Sequence, residues 1–456
     1  MNTQLPARSL VRPYESYVYA YPHKTAYRPL RPRPALSEVW RGEDRSALSF
    51  YAHIPFCEVR CGFCNLFTRV GAPDELTRRY LDALERQAQH ARAALEDSGK
   101  APEFANAAIG GGTPTFLEPA ELSRLFDIVE KTMRVGLGAI PLSVEASPST
   151  ATPDRLRVLA ERGATRLSLG VQSFDEAEAR AAVRPQKLAD VERALAAVRE
   201  SGIPVLNIDL IYGIEGQTAQ SWLRSLDTAL AWKPEELYLY PLYVRPLTGL
   251  ARIGREAEVD TDVDAEAAWD AQRLALYRIG RDHLVSQGYT QTSMRMFRRL
   301  DAPRIEGGED YACQTDGMIG LGCGARSYTS SLHYSFDYAV SAHEVRGIIE
   351  NYSATDIFGH AEIVFRLDPD EQRRRHFLQS LLQAEGVDEA DYLKRFGGSA
   401  REYFAAELDV LDSAGFLAAE PDRLQLTAEG LAWSDAIGPL LFSDRVRTAM
   451  QAYELR

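Results

Sequence analysis

Between about residue 48 and residue 245 the apolar positions switch repeatedly between two periods. Short β-rich runs appear as LSFYAHI (48–54), AAIGGG (107–112), PLSVEAS (141–147), RLSLGVQS (166–173), VLNIDLIYG (205–213) and ELYLYPLY (236–243). Between them apolar residues recur every three or four positions, as on one face of a helix. DELTRRYLDALERQAQHARAALE (74–96) puts Leu76, Tyr80, Leu81 and Leu84 on one side, and PAELSRLFDIVEKTMR (119–134) does the same with Leu122, Leu125, Phe126 and Val129. TPDRLRVLAERG (152–163) opens on a Thr152 cap with Pro153 at the first helical position and closes on Gly163; KLADVERALAAVRESG (187–202) stops at Gly202.

Alternating β and α elements imply parallel strands joined by right-handed crossovers. Six such units fit a partly closed barrel or an open doubly wound sheet, and in both the active groups gather at the C-terminal ends of the strands. The unusual clusters sit at such ends: His53 to Cys64, Gly110 to Thr115, Glu145, Gln172, Asp209 and Tyr243. The pattern divides the chain into an N-terminal arm (1–45), a barrel (46–250), an extension that completes the substrate region (251–365) and a C-terminal domain (366–456). In that last domain a helix, a short hairpin (FLAA-EPDR-LQLT) and a final helix suggest a winged-helix-like α+β module. Its stretch from Ala400 to Gly438 carries more acids than bases, so packing or covering suits it better than reading a DNA groove.

Composition narrows the function. The chain has 456 residues, of which 45% are hydrophobic and 26% charged, as in a folded globular protein of more than one domain. A net charge of −13 argues against a general nucleic-acid binder. No apolar run is long enough to span a bilayer, and the basic, tyrosine-rich N-terminus lacks a signal-peptide core, so the expectation is a cytoplasmic protein without membrane or nucleic-acid partners.

Three of the five cysteines fall within eight positions, CEVRCGFC, as Cys57, Cys61 and Cys64. A structural zinc site wants four ligands, and a redox CxxC pair would leave Cys57 idle. Three thiolates suit three irons of a [4Fe–4S] cube whose fourth iron stays open to a chelating ligand.

CxxxCxxC after a strand reading YAHIPF resembles the radical S-adenosylmethionine (SAM) enzymes. More narrowly, HIPFCEVRCGFC, IGGGTPT, SVEASP, RLSLGVQSFD, NIDLIYG, GLGCGARSY, FLQSLLQAEGV with RFG, and LTAEGL together resemble the oxygen-independent coproporphyrinogen III oxidase-like family, with its heme-chaperone and radical methyltransferase relatives. The resemblance implies an α/β fold: a partial (β/α)6 TIM-like barrel followed by a smaller winged-helix-like domain. It implies Cys57, Cys61 and Cys64 as cluster ligands. It assigns Tyr51, Gly111 and Glu145 to a first SAM, and Phe63, Gly112, Thr113, Gln172, Arg184, Asp209 and Tyr243 to the surroundings of a second. Cys323, as a hydrogen-atom or proton donor, and Tyr51 are the candidate catalytic residues; a buried packing thiol is the alternative for Cys323. The implied chemistry is reductive cleavage of SAM to a 5′-deoxyadenosyl radical that abstracts hydrogen from a porphyrinogen or other carboxylate-bearing small molecule. The electron would come from a donor such as flavodoxin or ferredoxin.

The match departs in places. Oxidases of this family carry a further cysteine where Leu66 stands, and VQSF replaces VQDF around Gln172. Tyr243 replaces a small residue, whereas Arg184-Pro185-Gln186 keeps the oxidase spacing. Three functions remain open: oxidative decarboxylation, methyl or methylene transfer from a second SAM, and heme carriage without turnover.

Overall fold

The computed structural model describes residues 10–97, 101–256, 263–303, 313–314 and 316–455. Part of the expected arm (1–9) and parts of the expected extension (257–262, 304–312 and 315) therefore lie outside the described residues. By contact the chain forms two compact units whose segments interleave along the sequence. One comprises Tyr27–Val259, Asp301–Arg366 and Glu454–Arg456; the other comprises Met1–Ala26, Asp260–Leu300 and Leu367–Tyr453.

The larger unit is built on six strands: β1 (Leu48–Ile54), β2 (Phe104–Gly111), β3 (Leu142–Ala146), β4 (Arg166–Gln172), β5 (Val205–Tyr212) and β6 (Glu236–Pro241). They lie side by side in chain order, all parallel. The connecting helices include α1 (Asp74–Glu96), α2 (Pro119–Asp127), α3 (Pro153–Glu161), α4 (Leu188–Glu200) and α5 (Ala219–Ala231). This is the expected partial (β/α)6 barrel, and it stays open. The outer edge of β1 is occupied by a further parallel strand, β7 (Met318–Leu321), so β1 is not free to pair with β6. From β7 the sheet continues antiparallel through β8 (Arg326–Tyr328), β9 (Leu332–Ser335) and β10 (Ile363–Arg366).

Side chains on the six strands alternate with the pleat. Leu142, Val144, Leu167, Leu169, Ile208, Leu210, Leu237 and Leu239 are wholly buried. The intervening positions hold Ser143, Glu145, Arg166, Ser168, Asn207, Asp209, Glu236 and Tyr238. Register carries this second set across the sheet in layers, with Glu145 opposite Ser168, Ser168 opposite Asn207 and Asn207 opposite Glu236. One face of the sheet is thus apolar and helix-covered, and the other presents polar groups to the barrel hollow.

Local signals set the helix ends. Gly163 and Gly202 adopt positive φ (80° and 76°) just past α3 and α4. The stretch expected as one helix over 119–134 changes form at Ile128, where a π-helical turn runs to Thr132. The wider turn allows Ile128, Val129, Met133 and Val135 all to be buried. In the smaller unit the expected FLAA–LQLT hairpin forms around an antiparallel bridge between Leu417 and Leu426, flanked by Thr427 N–H donating to Phe416 O at 2.8 Å and Ala418 N–H to Gln425 O at 2.9 Å. Toward its tip, Arg423–Leu424 also pairs antiparallel with Val387–Asp388. This unit is held by buried polar contacts: Tyr21, 0% exposed, donates to Glu371, and Arg295 donates to Asp435 at 2.5 Å.

Candidate functional site

The cysteine loop leaves β1 at Ile54 and is closed at its base. Phe56–Cys57 pairs with Arg69–Val70, and the Arg69 N–H donates to the Pro55 carbonyl at 2.6 Å. The end of β2 is stitched to it: Gly112 N–H donates to Ile54 O and Thr113 N–H to Phe56 O, both at 2.8 Å. Glycine is required here by space. A Cβ on Gly112 would lie 2.6 Å from the Phe56 carbonyl oxygen and 3.0 Å from Cys57 Sγ, and Gly111, at φ +114°, has the His53 ring where its Cβ would be. That ring is held on both sides. His53 Nε2 donates to Phe67 O at 3.1 Å, which leaves Nδ1 to accept from the Tyr51 hydroxyl at 3.2 Å.

Each thiol has a different neighbour. Thr113 Oγ1 donates to Cys57 Sγ at 3.5 Å, Arg184 Nη1 donates to Cys61 Sγ at 3.0 Å, and Thr68 Oγ1 lies 3.9 Å from Cys64 Sγ. Burial pushes the Cys57 thiol up to about 12 and raises Cys64 as well, so bare thiols there stay protonated and a metal charge would be needed to hold them as thiolates. The three thiols of the CxxxCxxC loop suit three irons of one cube and fall one short of the four ligands that a structural zinc takes. Among the described residues, Asp368, Asp370 and Glu371 bring three metal-type ligand atoms within 4.8 Å of one another. This acidic trio needs no ion: its buried Glu371 is bonded to Tyr21 and Ser443.

Across the hollow, the Gly111 N–H donates to Glu145 Oε2 at 2.9 Å. Glu145 opens into the hollow yet stands deep among protein atoms. Burial raises its carboxyl, the Gly111 bond pulls it back, and the Asp209 charge raises it further. Asp209 is likewise raised by burial, against the pull of Asn207, Arg166, Ser168 and Arg184. Asn207 Nδ2 donates to Asp209 at 2.7 Å and to Ser168 at 2.8 Å, while Ser168 Oγ donates to Asp209 at 3.1 Å. Below them Arg166 donates to Glu236 at 2.6 Å and to Ser143 at 3.0 Å. Gln172 sits at a β-bulge with φ +72°, beside Gly170, whose carbonyl accepts from Arg184 at 2.6 Å.

The structure therefore brings Cys57, Cys61, Cys64, Gly111, Gly112, Thr113, Glu145, Gln172, Arg184 and Asp209 to one end of the strands, with Tyr51 behind Gly111 through His53. Phe63 is half-buried on the cysteine loop, and Tyr243 follows β6 with the Arg245 guanidinium 4.1 Å above its ring. Cys323 is not among them. It is 1% exposed, its thiol meets the Tyr80 hydroxyl of α1 at 4.0 Å, and burial pushes it up to about 12. Arg166, Ser168, Asn207, Glu236 and Tyr238 were missed in the sequence reading. Their signal was polar residues at every second position of otherwise apolar strands.

Comparison with known proteins agrees with this geometry. Residues 51–229 match the radical SAM superfamily and residues 367–433 the HemN C-terminal domain. The oxygen-independent coproporphyrinogen III oxidase of Escherichia coli (strain K12) is 29% identical over 444 residues, covering 91% of each chain. The heme chaperone HemW of Bacillus subtilis (strain 168) is 25% identical over 398 residues, 86% of this chain and 99% of that protein. The solved structure of coproporphyrinogen III oxidase (HemN) from Escherichia coli superposes with a TM-score of 0.77 at 25% identity, over 93% of this chain and 96% of that one. Three cysteines on the first loop of an open six-stranded β/α barrel, followed by this tail, place the chain in the radical SAM superfamily, in the oxygen-independent coproporphyrinogen III oxidase-like family.

Proposed function

We propose that the protein is a radical SAM enzyme in which Cys57, Cys61 and Cys64 hold a [4Fe–4S] cluster and SAM takes the open iron. Its substrate is a carboxylate-bearing organic molecule, with coproporphyrinogen III as the best named case. The observation that carries this reading is the cysteine loop itself: three thiols on one short loop, each with its own hydrogen-bond neighbour, against a glycine wall with no room for a methyl group. When bound, cluster and SAM supply an electron and a carbon radical able to remove hydrogen from the substrate. The chain's residues do the rest. The Gly110–Gly112 backbone and Glu145 receive the amino-acid end of the first ligand, and a cation entering near Glu145 and Asp209 offsets two carboxyls raised by burial. Phe63, Thr113, Gln172, Asp209 and Tyr243 border the space for a second ligand or the substrate. Tyr51 orients His53 against Gly111. The burial of Cys323 supports packing and not hydrogen donation.

A second reading, heme carriage without turnover, is supported by the match to the heme chaperone HemW along 99% of its length. Anaerobic incubation of the reconstituted protein with SAM, a one-electron reductant and coproporphyrinogen III separates the readings. Protoporphyrinogen with 5′-deoxyadenosine supports the oxidase, S-adenosylhomocysteine a methyl transfer, and tight heme binding without turnover the carrier. A protein that takes up zinc or no metal at the loop refutes all three.

A further inference from the structure

We infer that Arg184 sets the reduction potential of the cluster through Cys61, as a positioning residue fixed by its surroundings; this rests on the cluster assignment above. Cys57 is hydrogen-bonded by the Thr113 hydroxyl at 3.5 Å and Cys64 by neutral groups, the Thr68 hydroxyl at 3.9 Å and the Leu66 backbone, with Arg60 acting on it only through space, whereas Cys61 receives an N–H directly from a guanidinium at 3.0 Å. The guanidinium cannot swing away freely. Its Nη2 donates to Gly170 O at 2.6 Å and its Nε to Gln186 Oε1 at 3.1 Å, and Gln186 is itself tied to the carbonyls of Val171 and Ser173 at 2.7 and 3.0 Å. The preceding backbone grips the cysteine loop from the same side. Gly62 N–H donates to Ala182 O at 3.1 Å, and Val183, held at φ +51°, would lie 2.7 Å from a Cβ on Gly62. A β-branched residue in that backbone region is strained, so the turn persists because its neighbours over-determine it. The bulge on β4, the 182–186 turn and the second cysteine therefore form one braced unit.

The electrostatic sign follows directly. Each electron added makes a thiolate-bound cluster more negative, so a fixed cation bonded to one ligand sulfur favours the reduced form and raises the potential. Charge-assisted bonds are also roughly twice as strong as neutral ones, so the hydroxyls at Cys57 and Cys64 weigh less. The test is an EPR-monitored potentiometric titration of anaerobically reconstituted protein without SAM, which reads the cluster and not turnover. Arg184→Met should make reduction at least tenfold less favourable, a shift of about 59 mV to more negative potential for one electron. Arg184→Lys should fall between that variant and the wild type, and Thr68→Val should shift less than Arg184→Met. An Arg184→Met protein with full iron and sulfide and an unchanged or more positive midpoint overturns the inference while leaving the cluster assignment intact. Should Arg184→Met fail to load, Arg184→Lys and Arg184→Gln decide: a Gln midpoint at or above the Lys midpoint overturns it. Wild-type protein that loads no cluster overturns both.

Discussion

Replacing Gly112 by Ala tests whether the glycine wall and the cysteine loop are built for each other. The added Cβ would sit 2.6 Å from the Phe56 carbonyl oxygen, 3.0 Å from the Ile54 carbonyl oxygen and 3.0 Å from Cys57 Sγ. Ordinary van der Waals contact begins at 3.4 Å, so relief requires the Phe56 carbonyl to retreat by about 0.8 Å. That carbonyl accepts the Thr113 N–H at 2.8 Å and belongs to the peptide that leads into Cys57, so the retreat breaks this bond and drags the first ligand with it. Overpacking of this kind costs about 1–3 kcal/mol, a modest loss for a chain of this length but one concentrated at a ligand. Gly110→Ala is the informative partner. There the nearest atoms, at 2.7 to 2.9 Å, belong to the Glu145 carboxyl, which can swing aside. Gly138→Ala meets nothing within 4 Å and serves as control. Iron and sulfide per chain after anaerobic reconstitution, and the change in the cluster's EPR spectrum on adding SAM, separate the three. Gly112→Ala should lose most of its cluster. Gly110→Ala should keep the cluster and lose the SAM response, and Gly138→Ala should match wild type. A Gly112→Ala protein with full cluster and normal SAM response refutes the packing argument.

Other expectations follow from single contacts. Asp209, raised by burial, takes up a proton on folding, so its contribution to stability is favourable at low pH and lost as pH rises from the ordinary value of 3.8 through the folded value. The ligand-free Asp209→Asn protein should therefore gain stability relative to wild type between pH 4 and pH 8 in denaturant titrations; equal curves at both pH values refute the assignment. Glu236→Gln removes one partner of a buried pair and leaves Arg166 largely uncompensated, so unfolding free energy should fall by about 3–5 kcal/mol. The double change Arg166→Met with Glu236→Leu should cost less than the single one. Cys323→Ala should keep its iron content and SAM cleavage, because the thiol faces Tyr80 within the core; loss of product with normal cluster content would restore it as a donor.

Much of the barrel was legible because period two and period 3.6 are imposed by opposite faces of the same elements. The stretch 74–96 was visible in full, since Tyr80, Leu81 and Leu84 had to meet the sheet. The cysteine loop was legible for another reason: metal ligation fixes residue type and spacing whatever the fold. The missed residues fail both criteria. Arg166, Asn207 and Glu236 look in sequence like tolerated exceptions, and only register shows that they share layers with Glu145. Cys323 was offered two roles because a glycine-rich turn after a strand resembles a site loop. Its side chain points to α1, a direction that depends on β7 lying outside β1. The third strand of the C-terminal module was not legible, because Arg423–Leu424 finds its partner in Val387–Asp388, well outside the hairpin in sequence, and local turn chemistry carries no trace of that.

The interleaving of the two units imposes an order on synthesis. Tyr21 is fully enclosed by groups that include Glu371 and Ser443, which leave the ribosome more than three hundred residues later. At about 5–20 residues per second, that delay amounts to tens of seconds. The six parallel strands are complete by residue 241 and can assemble meanwhile, so the aromatic leader must stay out of the nascent barrel until its own pocket has been translated.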